Sequence, residues 1–420
     1  MIKRSAYQFR IEPNGKQRRQ LVRFCGCSRF VFNHFLAQQN TAWEQYKECL
    51  EKAQSANQQP LVEKPTVRYV KMTEELTVLK KEKSWLNDCH SQVLQQSLKD
   101  LDRSFQNFFK GLVGYPQFKA KGKKESIRYP QGFKVDESNG RIFLPKIGWV
   151  KYRQSRAIEG KIKNITVKFV CGYWYASLQT ECAFETPIPQ GGELGVDMGV
   201  AHTITTDQGE HFDLPTSIEK LQARIAKLQK QLKNKVKGSN NRRKLIQKIA
   251  KLHHRIACIR QDFLHKVSTQ LSKNHAMIFV EDLNIKGMTK SAAGTIEAPG
   301  KNVKAKSGLN RSILNQGWGE FLRQLDYKLL WNGGYLVKVN PAYTSQICPR
   351  CGYVSRNNRQ TQSDFICVEC GFAGNADIVG AMNVKRAGHA RLACEVNDVS
   401  HQQQEPTENV MNPSLPEERL

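Results

Sequence analysis

The spacing of hydrophobic and polar positions changes several times along the chain. Near the start, Tyr7, Phe9 and Ile11 alternate with polar residues. That two-residue period is the signature of a half-buried strand, and Pro13-Asn14-Gly15 ends it. From Lys16 to Gln39 the period is helical. Leu21, Phe24, Cys25, Ser28, Phe32 and Phe35 share one face, and Lys16, Arg18, Arg19, Arg23 and Arg29 take the polar positions. Residues 54–65 are polar and read as a loop. Lys71 to Lys110 reads as helical again, on Leu94, Leu98, Leu101, Phe105 and Phe108. A Gly/Pro/Lys-rich break covers 111–124, and the next sixty residues are strand-rich. There Ile165, Val167 and Phe169 alternate, Cys171-Gly172 turns the chain, and Tyr173 and Tyr175 alternate, which predicts a hairpin. A small β-barrel that includes the first strand fits this stretch.

Beyond the linker at 187–192 the pattern changes. A short apolar strand from Leu194 leads to a second at 203–206, the turn Asp207-Gln208-Gly209 and a third. Leu221, Ile225, Leu228 and Leu232 then recur at steps of four and three. After Gly238-Ser239-Asn240-Asn241, Leu245, Ile249, Leu252, Ile256 and Ile259 do the same. This predicts an antiparallel helical hairpin over Lys220–Arg260 with a narrow apolar seam. Met277–Val280 reads as a buried strand, and residues 284–310 as a mobile stretch rich in Lys, Gly, Ala and Ser. Ser312–Leu330 reads as a helix, Tyr335–Val339 as a strand, and a short helix follows the last cysteine pair.

Composition narrows the function. With 420 residues and 39% hydrophobic content, the chain can build two to four packed domains. It carries 65 Lys and Arg against 38 Asp and Glu, a net charge of +27. The tail from Glu395 holds six acids and one Arg, so the rest is more basic still. Such an excess argues against an ordinary metabolic enzyme and for a polyanionic partner. The predicted hairpin alone has fourteen Lys or Arg and no acid, which marks Arg242, Arg243, Lys244 and Lys248 as candidate RNA or heteroduplex contacts. No apolar run reaches the length of about 18 residues that spans a bilayer. Met1–Arg10 lacks the apolar core of a signal peptide, so a cytoplasmic protein without a membrane partner is expected.

Of twelve cysteines, eight are scattered and four form two pairs, Cys348-Pro349-Arg350-Cys351 and Cys367-Val368-Glu369-Cys370, fifteen residues apart. Each pair precedes a glycine and aims two thiolates at one point. Together they suit one structural Zn²⁺ in a closed S₄ site, with an iron–sulfur cluster as the lesser alternative. The histidines at 34, 90, 253, 254 and 265 are then not needed as ligands, and Phe30, Phe32, Phe108 and Phe109 read as core.

Three acids sit where solubility does not explain them. Asp197 follows Leu194-Gly195-Val196 and precedes Met198-Gly199-Val200; Glu281 ends Met277-Ile278-Phe279-Val280; Asp377 lies at a helix start in Asn375-Ala376-Asp377. Singly they could be a turn residue, a salt-bridge partner and an N-cap. As a set they match the ribonuclease H arrangement, in which three carboxylates converge on two Mg²⁺ ions. Asp282 would face the other way from Glu281. Asp207 lies in a turn, and Asp364 lies between the cysteine pairs.

The ordered set Gly195-Val196-Asp197-Met198-Gly199-Val200, Val280-Glu281-Asp282-Leu283-Asn284, the two cysteine pairs, Asn375-Ala376-Asp377 and Asn383-Val384 resembles the TnpB family. Ser28-Arg29-Phe30-Val31-Phe32-Asn33, Leu144-Pro145-Lys146 and Gln261-Asp262-Phe263-Leu264-His265-Lys266 support the resemblance, which covers roughly residues 1–390. Val379 stands where many members have Asn.

The resemblance implies a multidomain α+β protein. Residues 1–15 and 112–190 would form a wedge β-barrel with a helical recognition domain, 16–111, inserted in it. Residues 191–343 and 373–390 would form an RNase H-like (RuvC) nuclease domain with an inserted zinc ribbon, 344–372, followed by a disordered acidic tail, 391–420.

The implied activity is RNA-guided DNA cleavage beside a short transposon-adjacent motif, by two-metal-ion hydrolysis in one RuvC site. Asp197, Glu281 and Asp377 would hold two Mg²⁺, and Cys348, Cys351, Cys367 and Cys370 one Zn²⁺. The partners would be a guide RNA from the transposon end and a double-stranded DNA target, on the prokaryotic nucleoid during action. The alternatives are a DDE-type transposase and a guide-dependent regulator that does not cut; the three acids argue against the latter.

Overall fold

The computed structural model describes residues 2–55 and 63–402, with side chains described through Ala393. The chain divides into two compact units, Met1–Glu185 and Thr186–Leu420.

The first unit begins with β1 (Ile2–Glu12) and α1 (Gly15–Ser55). α1 runs sixteen residues past the expected end at Gln39. In place of one helix over 71–110 there are two, α2 (Tyr69–Glu82) and α3 (Ser91–Phe109), with a 3₁₀ turn at Ser84–Asp88 between them. Six strands follow: β2 (Ser126–Tyr129), β3 (Lys134–Asp136), β4 (Arg141–Leu144), β5 (Gly148–Tyr152), β6 (Lys161–Val170) and β7 (Tyr173–Ala183). They and β1 form one sheet in the order β2-β6-β7-β1-β5-β4-β3. The β6–β7 hairpin turns on Cys171 and Gly172, at φ 50° and 94°. Two positive φ values in succession are what a two-residue primed turn demands. Phe9 and Ile11 of β1, Phe24 and Phe35 of α1, Leu98 and Phe105 of α3, and Val167 and Leu178 of the hairpin all lie in one core, so sheet and helices share a single hydrophobic interior.

The second unit is a three-layer α/β domain. Its elements are β8 (Gly192–Asp197), β9 (Ile204–Thr206), β10 (His211–Phe212), α4 (Ser217–Lys233), α5 (Asn240–Asn274), β11 (His275–Glu281), α6 (Ile285–Met288), α7 (Val303–Gln316), α8 (Trp318–Trp331), β12 (Tyr335–Val339), β13 (Asp364–Ile366), β14 (Ala373–Asn375) and α9 (Ala376–Gln402). The five-stranded sheet runs β10-β9-β8-β11-β12, with β8, β11 and β12 parallel. On one face Leu194, Val196, Ile278 and Val280 pack against Leu264, Leu271, Phe321 and Leu325 of α5 and α8. On the other, Phe279 and Val339 meet Val384 of α9. Burial on both faces explains the unbroken apolar run of β11.

The stretch at 284–310, expected to be mobile, carries α6, a bridge between Gly294 and Pro299, and the first half of α7. The helix expected over 312–330 is broken at Gly317, whose φ of 77° separates α7 from α8. α9 runs to Gln402, through residues assigned above to the tail; positions 403–420 of that tail lie outside the described residues. Among the described residues no helix is long and apolar enough to cross a membrane.

Candidate active site and cysteine cluster

The sheet register brings the first two acids together. Val196 of β8 pairs with Val280 of β11 in parallel, so Asp197 and Glu281 emerge side by side at the carboxyl ends of neighbouring strands. Ligands of open α/β sheets bind outside these ends. The third acid arrives on α9. Asn375 caps that helix by accepting hydrogen bonds from the N–H groups of Asp377 (3.0 Å) and Ile378 (3.3 Å), which leaves the Asp377 carboxylate free of the capping role.

α9 approaches through glycines. A Cβ at Gly195 would lie 2.2 Å from the Ala381 carbonyl oxygen, and one at Gly380 would lie 3.6 Å from Asp197 Cγ. The glycine two residues before Asp197 is therefore the position across which α9 closes on β8.

Electrostatics records the convergence. Burial raises the Asp197 carboxyl, and the Glu281 and Asp377 carboxylates raise it further, to about 7, with Arg359 partly offsetting them. Glu281 is also raised by burial, against the opposing pull of the Thr344 hydroxyl and Arg359. Arg359 lies between β12 and β13 and pairs with Asp377 at 3.5 Å. Three buried or half-buried acids thus face one guanidinium.

The donor set fits a divalent cation with a preference for hard oxygen ligands, such as Mg²⁺. The carboxylates do not form a single tight cage. Among the described residues, only the cysteine quartet forms a group of three or more candidate ligands whose donor atoms all lie within 4.8 Å of one another. Carboxylates spread around two ions, which sit roughly 3.5–4 Å apart in two-metal sites, do not need that spacing.

The four cysteines do meet. Cys348 Sγ lies 3.6 Å from Cys370 Sγ, and Cys351 Sγ lies 3.6 Å from Cys367 Sγ. Zn–S bonds of about 2.3 Å in a tetrahedron place sulfurs about 3.8 Å apart, so the cluster has the size of a zinc site. Asn358, fully buried, ties its two halves. Its amide donates to the carbonyls of Gln346 (2.8 Å) and Tyr353 (3.2 Å), and its Oδ1 accepts from Val368 N–H.

The other acids weighed from the sequence stand apart from this group. Asp282 is exposed and near Lys338, and Asp364 is exposed on β13 and accepts from the Thr361 hydroxyl. Asp207 binds the Gly195 N–H and, at 3.0 Å, Lys385 Nζ, so it fastens β8 to α9. α4 and α5 form the expected hairpin around Ile225, Leu245, Ile249 and Ile256. Arg243, Lys244 and Lys248 are exposed at the start of α5. Arg242 is half-buried and donates to the Leu232 carbonyl at 2.9 Å, closing the C-terminus of α4. Sequence reasoning missed Arg359 and Thr344. Neither sits in a periodic element; the signal available was their position beside the cysteine pairs.

An α/β domain with an acid cluster at the ends of parallel strands and a four-cysteine module before its last helix defines the class. Comparison narrows it. The family described as "Probable transposase" (OrfB_IS605) matches residues 177–292, a "Cas12f1-like, TNB domain" matches 318–384, and a "Helix-turn-helix domain" matches 1–48, which here form β1 and part of the single helix α1.

The chain is 48% identical over 415 residues to the Escherichia coli (strain K12) protein named "Putative RNA-guided DNA endonuclease InsQ", covering 98% of this chain and 99% of that one. It is 31% identical over 397 residues to a "Putative RNA-guided DNA endonuclease" of Streptomyces pristinaespiralis, covering 93% and 90%. A solved Cas12f1–sgRNA–target DNA complex aligns over 91% of this chain and 99% of that one, at 13% identity and a TM-score of 0.46. The chain belongs to the TnpB (OrfB_IS605) family.

Proposed function

We propose that this protein is an RNA-guided DNA endonuclease whose single cutting site is formed by Asp197, Glu281 and Asp377. The observation that carries the reading is the meeting of these acids at the ends of two adjacent parallel strands and the first turn of α9, with Asp197 held protonated to about 7 by burial and by its two neighbours. Such repulsion is tolerated where cations are to be gathered. Two Mg²⁺ held there would activate water and stabilise the leaving 3′ oxygen of a phosphodiester. Asp197 and Glu281 present fixed oxygens from strand ends, Asp377 supplies a third from a capped helix, and Arg359 limits the negative charge of the group.

In this reading the second unit is the RuvC domain, and the four cysteines hold a structural Zn²⁺ in an inserted ribbon. The sheet of the first unit is the wedge, and its helices are the recognition domain. A guide RNA from the transposon end binds the basic surfaces, including Arg243, Lys244 and Lys248 on the α4–α5 hairpin. Recognition of a short adjacent motif opens the duplex, and guide pairing selects the target. The names of the full-length relatives support this reading.

The test is to purify the full chain from cells carrying its locus and to sequence the RNA that comes with it. A discrete RNA ending in the sequence beside the transposon supports the proposal. A protein without RNA that joins DNA ends indicates a transposase instead.

A further inference from the structure

The loop between β12 and the first cysteine pair carries a buried hydroxyl aimed at one of the three acids. Thr344 is 5% exposed, and its Oγ1 donates to Glu281 Oε1 at 2.6 Å. The Pro341 carbonyl, at 3.0 Å, is its competing acceptor. A hydroxyl has one proton to give, and the shorter, charge-assisted bond is the stronger. Among the described residues this is the one hydrogen bond to the Glu281 side chain.

The backbone of Thr344 is itself held from behind. Asn383, 3% exposed on α9, donates one amide hydrogen to the Thr344 carbonyl at 2.8 Å and the other to the Ile347 carbonyl at 2.7 Å. Tyr343, the preceding residue, sits at φ 64°, where residues other than glycine are disfavoured. Two bonds from the helix that bears Asp377 thus hold the backbone of this loop at Thr344 and Ile347, the frame from which the hydroxyl reaches Glu281. The same clamp reaches Ile347, next to Cys348, so the cysteine module and the acid cluster share an anchor.

We propose that Thr344 is a positioning residue that fixes the rotamer of Glu281 for metal binding, and that Asn383 sets Thr344. The inference rests on the assignment of the acids as metal ligands. A partner that orients a metal-binding carboxylate typically contributes 10- to 100-fold in metal affinity.

The test uses Mn²⁺ as probe. Binding to the full chain is followed by electron paramagnetic resonance of the free ion, for wild type, Thr344→Val, Thr344→Ala, Thr344→Ser and Asp197→Asn. Valine keeps the shape of threonine and removes the hydroxyl; alanine is the second variant should valine fail to fold. Val and Ala are expected to weaken Mn²⁺ binding roughly 10- to 100-fold, and Ser to bind and to melt in EDTA near wild type, since it keeps the hydroxyl. If Val and Ala bind as wild type does while Asp197→Asn binds weakly, the role of Thr344 is refuted and the acids stand. If wild type and Asp197→Asn bind alike, the metal site itself is wrong and this inference falls with it. If Ser is as weak as Val, the hydroxyl is not the operative group.

Discussion

Replacing Asp197 by Asn should stabilise the metal-free protein above pH 7. The unfolded chain ionises this side chain near 3.8, whereas the folded chain retains the proton to about 7, because the site is buried and already negative. Folding therefore takes up a proton between those values, and above pH 7 the native state bears the full cost of an ionised carboxylate. That separation corresponds to about 4 kcal/mol. Asn keeps the shape and cannot ionise, so the variant should gain roughly 2–4 kcal/mol at pH 8, and the gain should vanish toward pH 4. Urea titrations of the full chain in EDTA across that range would read it. Excess Mg²⁺ should reverse the order, since the ion stabilises the wild type by binding only its folded form. If the variant is equally or less stable at pH 8, or if its gain does not change with pH, the electrostatic account of the site is refuted.

Other outcomes follow from the same geometry. Gly195→Ala places a methyl 2.2 Å from the Ala381 oxygen; it should destabilise the second unit by roughly 3 kcal/mol, visible as a lower urea midpoint for both folded chain and RNA complex. Cys351→Ser should remove the metal from the cysteine cluster, so that released zinc, measured colorimetrically, falls from one ion per chain to none. Charge reversal of Arg243, Lys244 and Lys248 should weaken RNA binding and lower the slope of log affinity against log salt by about 2–3. Arg242→Ala should instead act mainly on stability, because its guanidinium closes α4, and thermal melting separates the two.

Much of the second unit was legible because its signals are local. β11 reads as a doubly buried strand from Met277-Ile278-Phe279-Val280, and the α4–α5 seam from steps of four and three. The three acids stand out in the sequence by their places at element ends; Asp197 and Glu281 do end neighbouring parallel strands, and Asp377 lies in the first turn of α9. What was not legible is non-local or rests on one backbone angle. Nothing periodic marks the break at Gly317, where a single positive φ divides two helices. α1 runs past Gln39 on Trp43, Tyr46, Leu50 and Ala53, which keep steps of three and four but form a face much sparser in apolar residues than the one before it. Arg359 and Thr344 reach the site through loops, whose partners a sequence window does not contain. The need for Gly195 is likewise non-local, because it is the Ala381 oxygen of α9 that lies 2.2 Å from where its Cβ would be.

The most direct measurement is cleavage of a plasmid carrying the complement of the co-purified RNA's variable end, flanked by a randomised segment. The wild-type complex in Mg²⁺ should cut it and leave 5′-phosphate ends. Complexes of Asp197→Ala, Glu281→Ala and Asp377→Ala should retain RNA and bind the plasmid without cutting. Cutting that persists in all three variants, or that needs no matching RNA, would contradict the account.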